Sequence, residues 1–233
     1  MSAVSRLLES EREIEKHFVA GARATETDPK GWPAALIMFH IAMWRERLRK
    51  AFDDVHRGRP YTPIPANIDE FNDVELPAGA GVSLDEAATR ADAELALLIQ
   101  LAQAIGARPF KWDLASTSTE AVLRNSYVHP HTHIAAYLSE NGDKAAAHHL
   151  YEEAANQLRD ASAPHLVLGA AICNLAVVRV EQGRFDDALD LFEEGLSMRP
   201  DLRPIVQADP DLAVLKSSLR FQSIIGGRAQ SER

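Results

Sequence analysis

Apolar residues recur at spacings of three and four along most of the chain, which is the period of an amphipathic α-helix. The pattern predicts a first helix over residues 3–26, a second from about Pro33 to Arg57 and a third from Ser83 to Ile105. A short helix is predicted over Ser118–Ser126, and a further helix is predicted to start near Pro130. The sequence therefore predicts an all-α fold.

Residues 58–82 interrupt the helical pattern. Their high content of proline and glycine disfavours regular helix over most of the segment. A loop of this length in a compact domain is often functional. Its short polar side chains either line a cleft or cap local turns, and the two interpretations remain open for Asn67, Asp69, Asn72 and Asp73.

Two stretches in the C-terminal part of the chain match each other at a constant offset of 41 residues. Each matched pair has residues of the same kind: apolar or aromatic, glycine or another small residue, or glutamate. The pairs are Ile134 with Leu175, Gly142 with Gly183, Ala147 with Ala188, Tyr151 with Phe192, Glu152 with Glu193 and Ala154 with Gly195. Both glycines are expected to supply the tight turn between antiparallel helices, with a left-handed backbone at Gly183.

This pattern, followed by Pro200, resembles the tetratricopeptide repeat (TPR), with a longer connection than the usual period of about 34 residues. The alternative is two unrelated amphipathic hairpins. The segment from Asp209 to Phe221 is expected to form capping helices, which repeat arrays need at their ends.

Composition narrows the class of protein. The chain is 46% hydrophobic and 25% charged, which is typical of a globular protein, and its formal charge of −9 disfavours nucleic-acid binding. Charges throughout the first twenty residues and the absence of a long apolar run predict no secretion signal and no membrane span. We therefore expect a cytoplasmic protein, in which the single cysteine, Cys173, serves as inert packing.

Candidate chemistry is concentrated in histidines. His129 and His133 are four residues apart, so on a helix both rings face the same side, and His40 on a facing helix would complete an open three-ligand metal site. The positive end of a helix starting near Pro130 is expected to keep this pair neutral. The alternative is that these are hydrogen-bonded core histidines. His131 is expected to be exposed or to face the repeats, and His148 and His149 to be solvated.

The motif Trp32-x7-His40-x3-Trp44, followed by His129-x3-His133, resembles the DinB-like metalloprotein superfamily, which includes the ClbS/DfsB-type proteins. The resemblance covers about residues 1–140. It implies an N-terminal four-helix bundle in which His40, His129 and His133 bind a divalent metal ion, zinc or nickel most readily. It leaves a coordination position open for water or substrate and does not choose a reaction.

Together these patterns predict a DinB-like bundle over residues 1–142 and TPR-like hairpins with capping helices over residues 128–226, with a helix at about 129–141 shared by both. One functional hypothesis is a metal-dependent hydrolase, isomerase or thiol-dependent transferase acting on a small-molecule substrate. The other is a non-catalytic interaction or scaffold module, whose hairpins bind a protein or peptide partner, cover the bundle or mediate self-association. Neither hypothesis assigns catalytic residues or an organic cofactor.

Overall fold

The computed structural model describes residues 2–227, so Met1, at the start of the predicted bundle, lies outside this part. The described residues form α-helices joined by short helical turns, and a two-stranded antiparallel hairpin is their only sheet. The predicted all-α fold is confirmed. The helices and strands are α1 (Ala3–Thr25), α2 (Ala34–His56), α3 (Ile68–Glu75), α4 (Leu84–Ile105), β1 (Pro109–Trp112), β2 (Ala115–Thr117), α5 (Ser118–Leu123), α6 (His129–Glu140), α7 (Lys144–Asp160), α8 (His165–Glu181), α9 (Phe185–Met198), α10 (Arg203–Ala208) and α11 (Leu219–Gly226).

The described residues divide into two compact units, with the division between Ala147 and His148, inside α7. In the first unit, α4 contacts both α1 and α2, and all three of these long helices contact the helical stretch that contains α5 and α6. Their apolar faces form its core, in which the largest fully buried aliphatic and aromatic side chains are Leu8, Met38, Ile41, Leu48, Phe52, Leu95, Leu98, Leu123, Tyr127 and Ile134.

Helix α3 lies inside the segment for which proline content disfavours helix, so that expectation is wrong over residues 68–75. The prolines of this segment flank α3 instead of interrupting it, because none occurs between Pro65 and Pro77. The side-chain oxygen of Asn67 accepts a hydrogen bond from the backbone N–H of Glu70 at 3.1 Å, which caps the helix. Of the two interpretations of Asn67, capping is the one observed.

The hairpin of β1 and β2 was not predicted from the sequence. Its strands alternate exposed and buried positions, with Phe110 and Trp112 buried, but they are too short for this alternation to be recognised as a period. Asp113 lies in the turn and adopts a left-handed φ of 49°, which is uncommon for a residue with a side chain.

One turn of π-helix, Arg124–Val128, joins α5 to α6 into a continuous helical stretch. The backbone N–H of His129 donates to the carbonyl of Arg124, five residues earlier. Helix α6 begins at His129, close to the predicted start near Pro130, but it continues directly from the π-turn. It therefore has no free N-terminus, and the expected effect of one on His129 and His133 is wrong.

The second unit contains the hairpin of α8 and α9. Gly183 between them has a left-handed φ of 73°, and the N–H of Arg184 donates to the carbonyl of Arg179 at 2.8 Å. Gly142 in the first unit repeats this turn, with a φ of 97° and a bond of 2.8 Å from Asp143 to Leu138. The left-handed conformation predicted for Gly183 is confirmed, and the aligned Gly142 shares it.

The core of the second unit contains Cys173 and other side chains of α8 and α9, which are Ala176, Val180, Ala188, Leu189, Phe192 and Leu196. It extends to the C-terminal segments through Val206, Leu212, Leu215 and Phe221. Burial raises the pKa of the Cys173 thiol to about 12, so the thiol is protonated at neutral pH and serves as packing. Within residues 2–227, no helix combines the length and the apolar composition needed to cross a membrane.

Candidate metal centre

The rings of His40, His129 and His133 converge in the first unit. Nε2 of His129 lies 3.0 Å from Nε2 of His40 and 3.0 Å from Nε2 of His133. The three ring centroids are 4.6 to 4.9 Å apart. One nitrogen from each ring lies within 4.8 Å of the others, so the three histidines are close enough to hold one metal ion.

The separation of these nitrogens fits direct coordination. Nitrogens about 2.0 to 2.1 Å from a zinc ion lie roughly 2.8 to 3.4 Å apart at angles between octahedral and tetrahedral values. Three imidazole nitrogens are also a donor set that suits zinc and nickel. The histidine triad, as we call His40, His129 and His133, therefore fits a divalent ion in both geometry and chemistry.

Burial keeps the histidine triad neutral. Burial, and then the neighbouring His133, lowers the pKa of His40 to about 3. Burial also lowers the pKa of His129 well below its usual value, with further lowering from the other two rings and from Arg45. Burial lowers the pKa of His133 as well. Neutral imidazoles are the form that ligates a metal.

The π-turn orients the His129 ring. The backbone carbonyl of Asn125 accepts a hydrogen bond from this ring. Because Nε2 faces the other two histidines, the donor is Nδ1, and Nε2 must carry the lone pair. A single lone pair cannot satisfy two neighbouring nitrogens well, whereas a bound cation would accept all three lone pairs.

Proline and arginine explain the irregular helix beside the histidine triad. A regular α-helix would pair the carbonyl of Ser126 with the N–H of residue 130, but Pro130 has no N–H and its ring crowds that carbonyl. Arg45 supplies a donor instead, because its Nη2 lies 3.2 Å from the Ser126 oxygen. Arg45 is fully buried and also donates to the carbonyl of Ala91 and to the carboxylate of Glu15.

His131 is buried, so the expectation that it is exposed or faces the repeats is wrong. Only 2% of its surface is exposed, and its Nδ1 contacts the carboxylate of Glu11 on α1 and the carbonyl of Tyr127 at 2.9 Å. His131 lies between His129 and His133 in sequence, but its side chain faces α1 instead of the other two histidines. No apolar pattern could have predicted a buried glutamate as its partner.

The loop before α2 places Trp32 against the histidine triad. The Trp32 ring stacks on His133 with centroids 5.5 Å apart and meets His40 edge-on at 5.2 Å. The loop approaches the end of α6, where the N–H of Lys30 donates to Asn141 at 2.9 Å. Gly31 lies in this loop with a left-handed φ of 70°, a conformation that favours glycine.

A cavity of about 360 Å³, which we call the histidine cavity, has the histidine triad in its wall. Its other lining residues include Trp32, Trp44 and Trp112, the aliphatic residues Ile64, Ile68 and Val128, and the polar residues Asn72, Asp113, Arg124, Asn125 and Thr132. Of the four loop residues for which a cleft was considered, Asn72 lines this cavity and accepts a hydrogen bond from the Trp44 indole at 3.1 Å.

Arg124 and Trp112 were missed by sequence reasoning. Residues five apart in a regular α-helix point in different directions, whereas in a π-turn they lie nearly one above the other, so Arg124 shares the cavity with His129. Trp112 reaches the cavity from the unpredicted hairpin. Only the recognition of Pro130 inside a helix could have indicated the first of these, and no signal indicated the second.

Comparison with known proteins yields one family. The tetratricopeptide repeat family matches residues 168–199, which cover most of α8 and all of α9. The chain thus contains a TPR-like hairpin where the sequence repeats predict the second of two. No curated protein and no solved structure matches the chain.

Proposed function

We propose that the first unit is a DinB-like metal-binding domain, in which the histidine triad holds a divalent ion, zinc or nickel, for chemistry on a small molecule. The observation that carries this proposal is the convergence of three neutral Nε2 atoms in the wall of the histidine cavity. One ligand from the second long helix and two from the last helical stretch is also the arrangement that the sequence resemblance implies.

The residues around the site support an open centre. When bound, the ion would supply a Lewis acid with coordination positions left for a substrate. Trp32 and Trp44 both pack edge-on against the His40 ring, with centroids 5.2 and 6.4 Å away. Asn72 and Asn125 bring amide groups to the cavity that can orient a bound molecule by hydrogen bonds. We propose a hydrolase, isomerase or thiol-dependent transferase as the class of reaction.

Cobalt(II) provides a direct test of an open three-histidine site. The metal-free, full-length protein is titrated with cobalt(II), and its visible absorption is recorded before and after addition of azide. We expect an absorption band that saturates at one ion per chain and shifts with azide, because azide occupies the open position. A band that is absent, or that persists in His129→Ala, would contradict the proposal.

A second candidate function rests on the match to the tetratricopeptide repeat. Helical repeats of this kind bind proteins or peptides on their surfaces, so the α8 and α9 hairpin is proposed as an interaction or self-association region. Sedimentation velocity across a hundredfold range of protein concentration tests self-association. A single species of monomer mass throughout would contradict self-association.

A further inference from the structure

The histidine cavity carries information about the class of molecule that it binds. Its volume of about 360 Å³ lies at the small end of the range for ligand sites. Three tryptophans, Trp32, Trp44 and Trp112, supply flat apolar walls. Aromatic rings favour stacked or edge-on contact with other flat groups. The cavity therefore suits a small, flat and largely apolar body.

The histidine cavity would favour an anion when a divalent ion is bound to the histidine triad. Among its described lining residues, the carboxylate of Asp113 and the guanidinium of Arg124 cancel, and the histidine triad ligates as neutral rings. A divalent ion there would leave an excess of positive charge inside low-dielectric walls. Such a field attracts anionic ligands and repels cationic ones.

Arg124 is the residue best suited to bind the charged group. The Arg124 Nη1 donates to the Asp113 carboxylate. Within the described residues, the Nε and Nη2 atoms on the other edge of the guanidinium donate no hydrogen bond to the chain. Its side chain is 39% exposed and that of Asp113 is 22% exposed. Arginine binds carboxylates through two parallel hydrogen bonds, which requires such a free edge.

Building on the metal site proposed above, we propose that the histidine cavity binds a small aromatic or flat apolar carboxylic acid, with its carboxylate on Arg124 and its body between the tryptophans. Asp113 holds Arg124 at the cavity and competes with the ligand for it.

Two isosteric ligands test this inference: naphthalene-2-carboxylate and its neutral amide, naphthalene-2-carboxamide. Their affinities are measured by calorimetry on the full-length protein, both metal-free and zinc-loaded. We expect the carboxylate to bind at least about tenfold more tightly than the amide in the metal-free protein, where no ion can attract it. Arg124→Met should abolish this preference, and Arg124→Lys should retain part of it.

Asp113→Asn and Arg57→Met serve as controls. Asp113→Asn should leave the preference for the carboxylate intact or increase it, because Arg124 loses a competitor. Arg57 is paired with Asp53 at 3.0 Å but does not line the cavity, so Arg57→Met should change nothing. Zinc content and the circular dichroism spectrum of each variant establish that the site and the fold are intact.

The outcomes separate this inference from the proposed metal site. If zinc binds but the amide binds as well as the carboxylate, or Arg124→Met keeps the preference, the inference is wrong and the metal site stands. If zinc does not bind but the preference exists and depends on Arg124, the metal proposal is wrong and the ligand class is supported. Failure of both ligands to bind overturns the inference.

Discussion

At the scale of single residues, the histidine triad is defined by burial. His40 is 2% exposed, and its depressed pKa means that the folded protein resists placing a proton where a metal ligand is needed. The helical spacing of His129 and His133 predicted their shared direction correctly, and their Nε2 atoms lie 3.0 Å apart. Spacing could not predict the partners that orient the rings, because the carbonyl of Asn125 becomes available only through the π-turn.

The lowered pKa values shift the expected pH of metal release. An unperturbed imidazole titrates near 6.5, which alone would predict release at about pH 6. Protons compete less well for His40, whose pKa is about 3, and for the partly buried His129 and His133, whose pKa values are also lowered. We expect zinc to remain bound at pH 6 and to be released only at lower pH, measured by dialysis against buffers between pH 7 and 4. Half-release above pH 6 would contradict this account.

The same shifts affect the stability of the metal-free protein. Below about pH 6.5 these histidines become protonated in the unfolded chain, whereas in the folded chain they stay neutral to lower pH. The free energy of unfolding is therefore highest above that pH. It should decline as the pH falls toward the folded-state value of about 3 for His40.

The buried pair of Arg45 and Glu15 gives a second prediction at this scale. Burial raises the pKa of Glu15, although Arg45 opposes the rise. Arg45→Met should lower the free energy of unfolding in urea by about 3 to 5 kcal/mol, because it leaves a buried carboxylate without a partner. The double variant Arg45→Met with Glu15→Met should be more stable than Arg45→Met alone.

An exposed pair provides the matched control. Arg23 and Asp85 have side chains 59% and 70% exposed, so Arg23→Met should cost less than about 1 kcal/mol. If the double variant unfolds at lower urea concentration than Arg45→Met, the buried pair is not the origin of the loss.

At the scale of elements, the sequence predicted regular helices well and irregular ones poorly. Apolar periodicity placed α1, α2 and α4 within one or two residues of their observed ends. It failed at α3 and at the short hairpin, because these elements are too short to establish a period. It also failed at the π-turn, because that turn departs from the α-helical period. The histidine cavity is built largely from these irregular parts, so its lining could not be predicted even though the histidine triad could.

Pro130 connects the π-turn to the site. Pro130→Ala restores an N–H that can bond to Ser126 and removes the steric reason for the wide turn. We expect unchanged or higher thermal stability. We also expect zinc affinity to be at least about tenfold weaker, because replacing the π-turn by a regular turn shifts the helix register by one residue and so rotates the His129 side chain by about 100° about the helix axis. The measurement is zinc affinity by competition with a chromophoric chelator.

Pro164→Ala is the control, since Pro164 precedes α8 in the second unit and does not line the histidine cavity. It should leave zinc affinity unchanged. Wild-type zinc affinity in Pro130→Ala would mean that the π-turn does not position His129.

At the scale of the whole molecule, the chain divides into two compact units inside α7. The sequence predicts that the helix at about 129–141 belongs both to the bundle and to the first repeat, and this stays a prediction. A chain that ends after Asp143 tests it. We expect loss of cooperative thermal unfolding, because the shared helix would lose apolar cover. A truncated chain that melts like the full-length protein would show that the bundle is independent.

The central claim is that His40, His129 and His133 bind one divalent ion. The most direct measurement is the metal content of untagged, full-length protein, determined by mass spectrometry after saturation with zinc and gel filtration. We expect about one ion per chain, and a sharp loss in each single change of the histidine triad to alanine, because two ligands bind poorly. His17→Ala, at an exposed position, and His148→Ala, in the second unit, should retain the ion. Metal-free wild-type protein, or equal metal content in all five variants, would contradict the account.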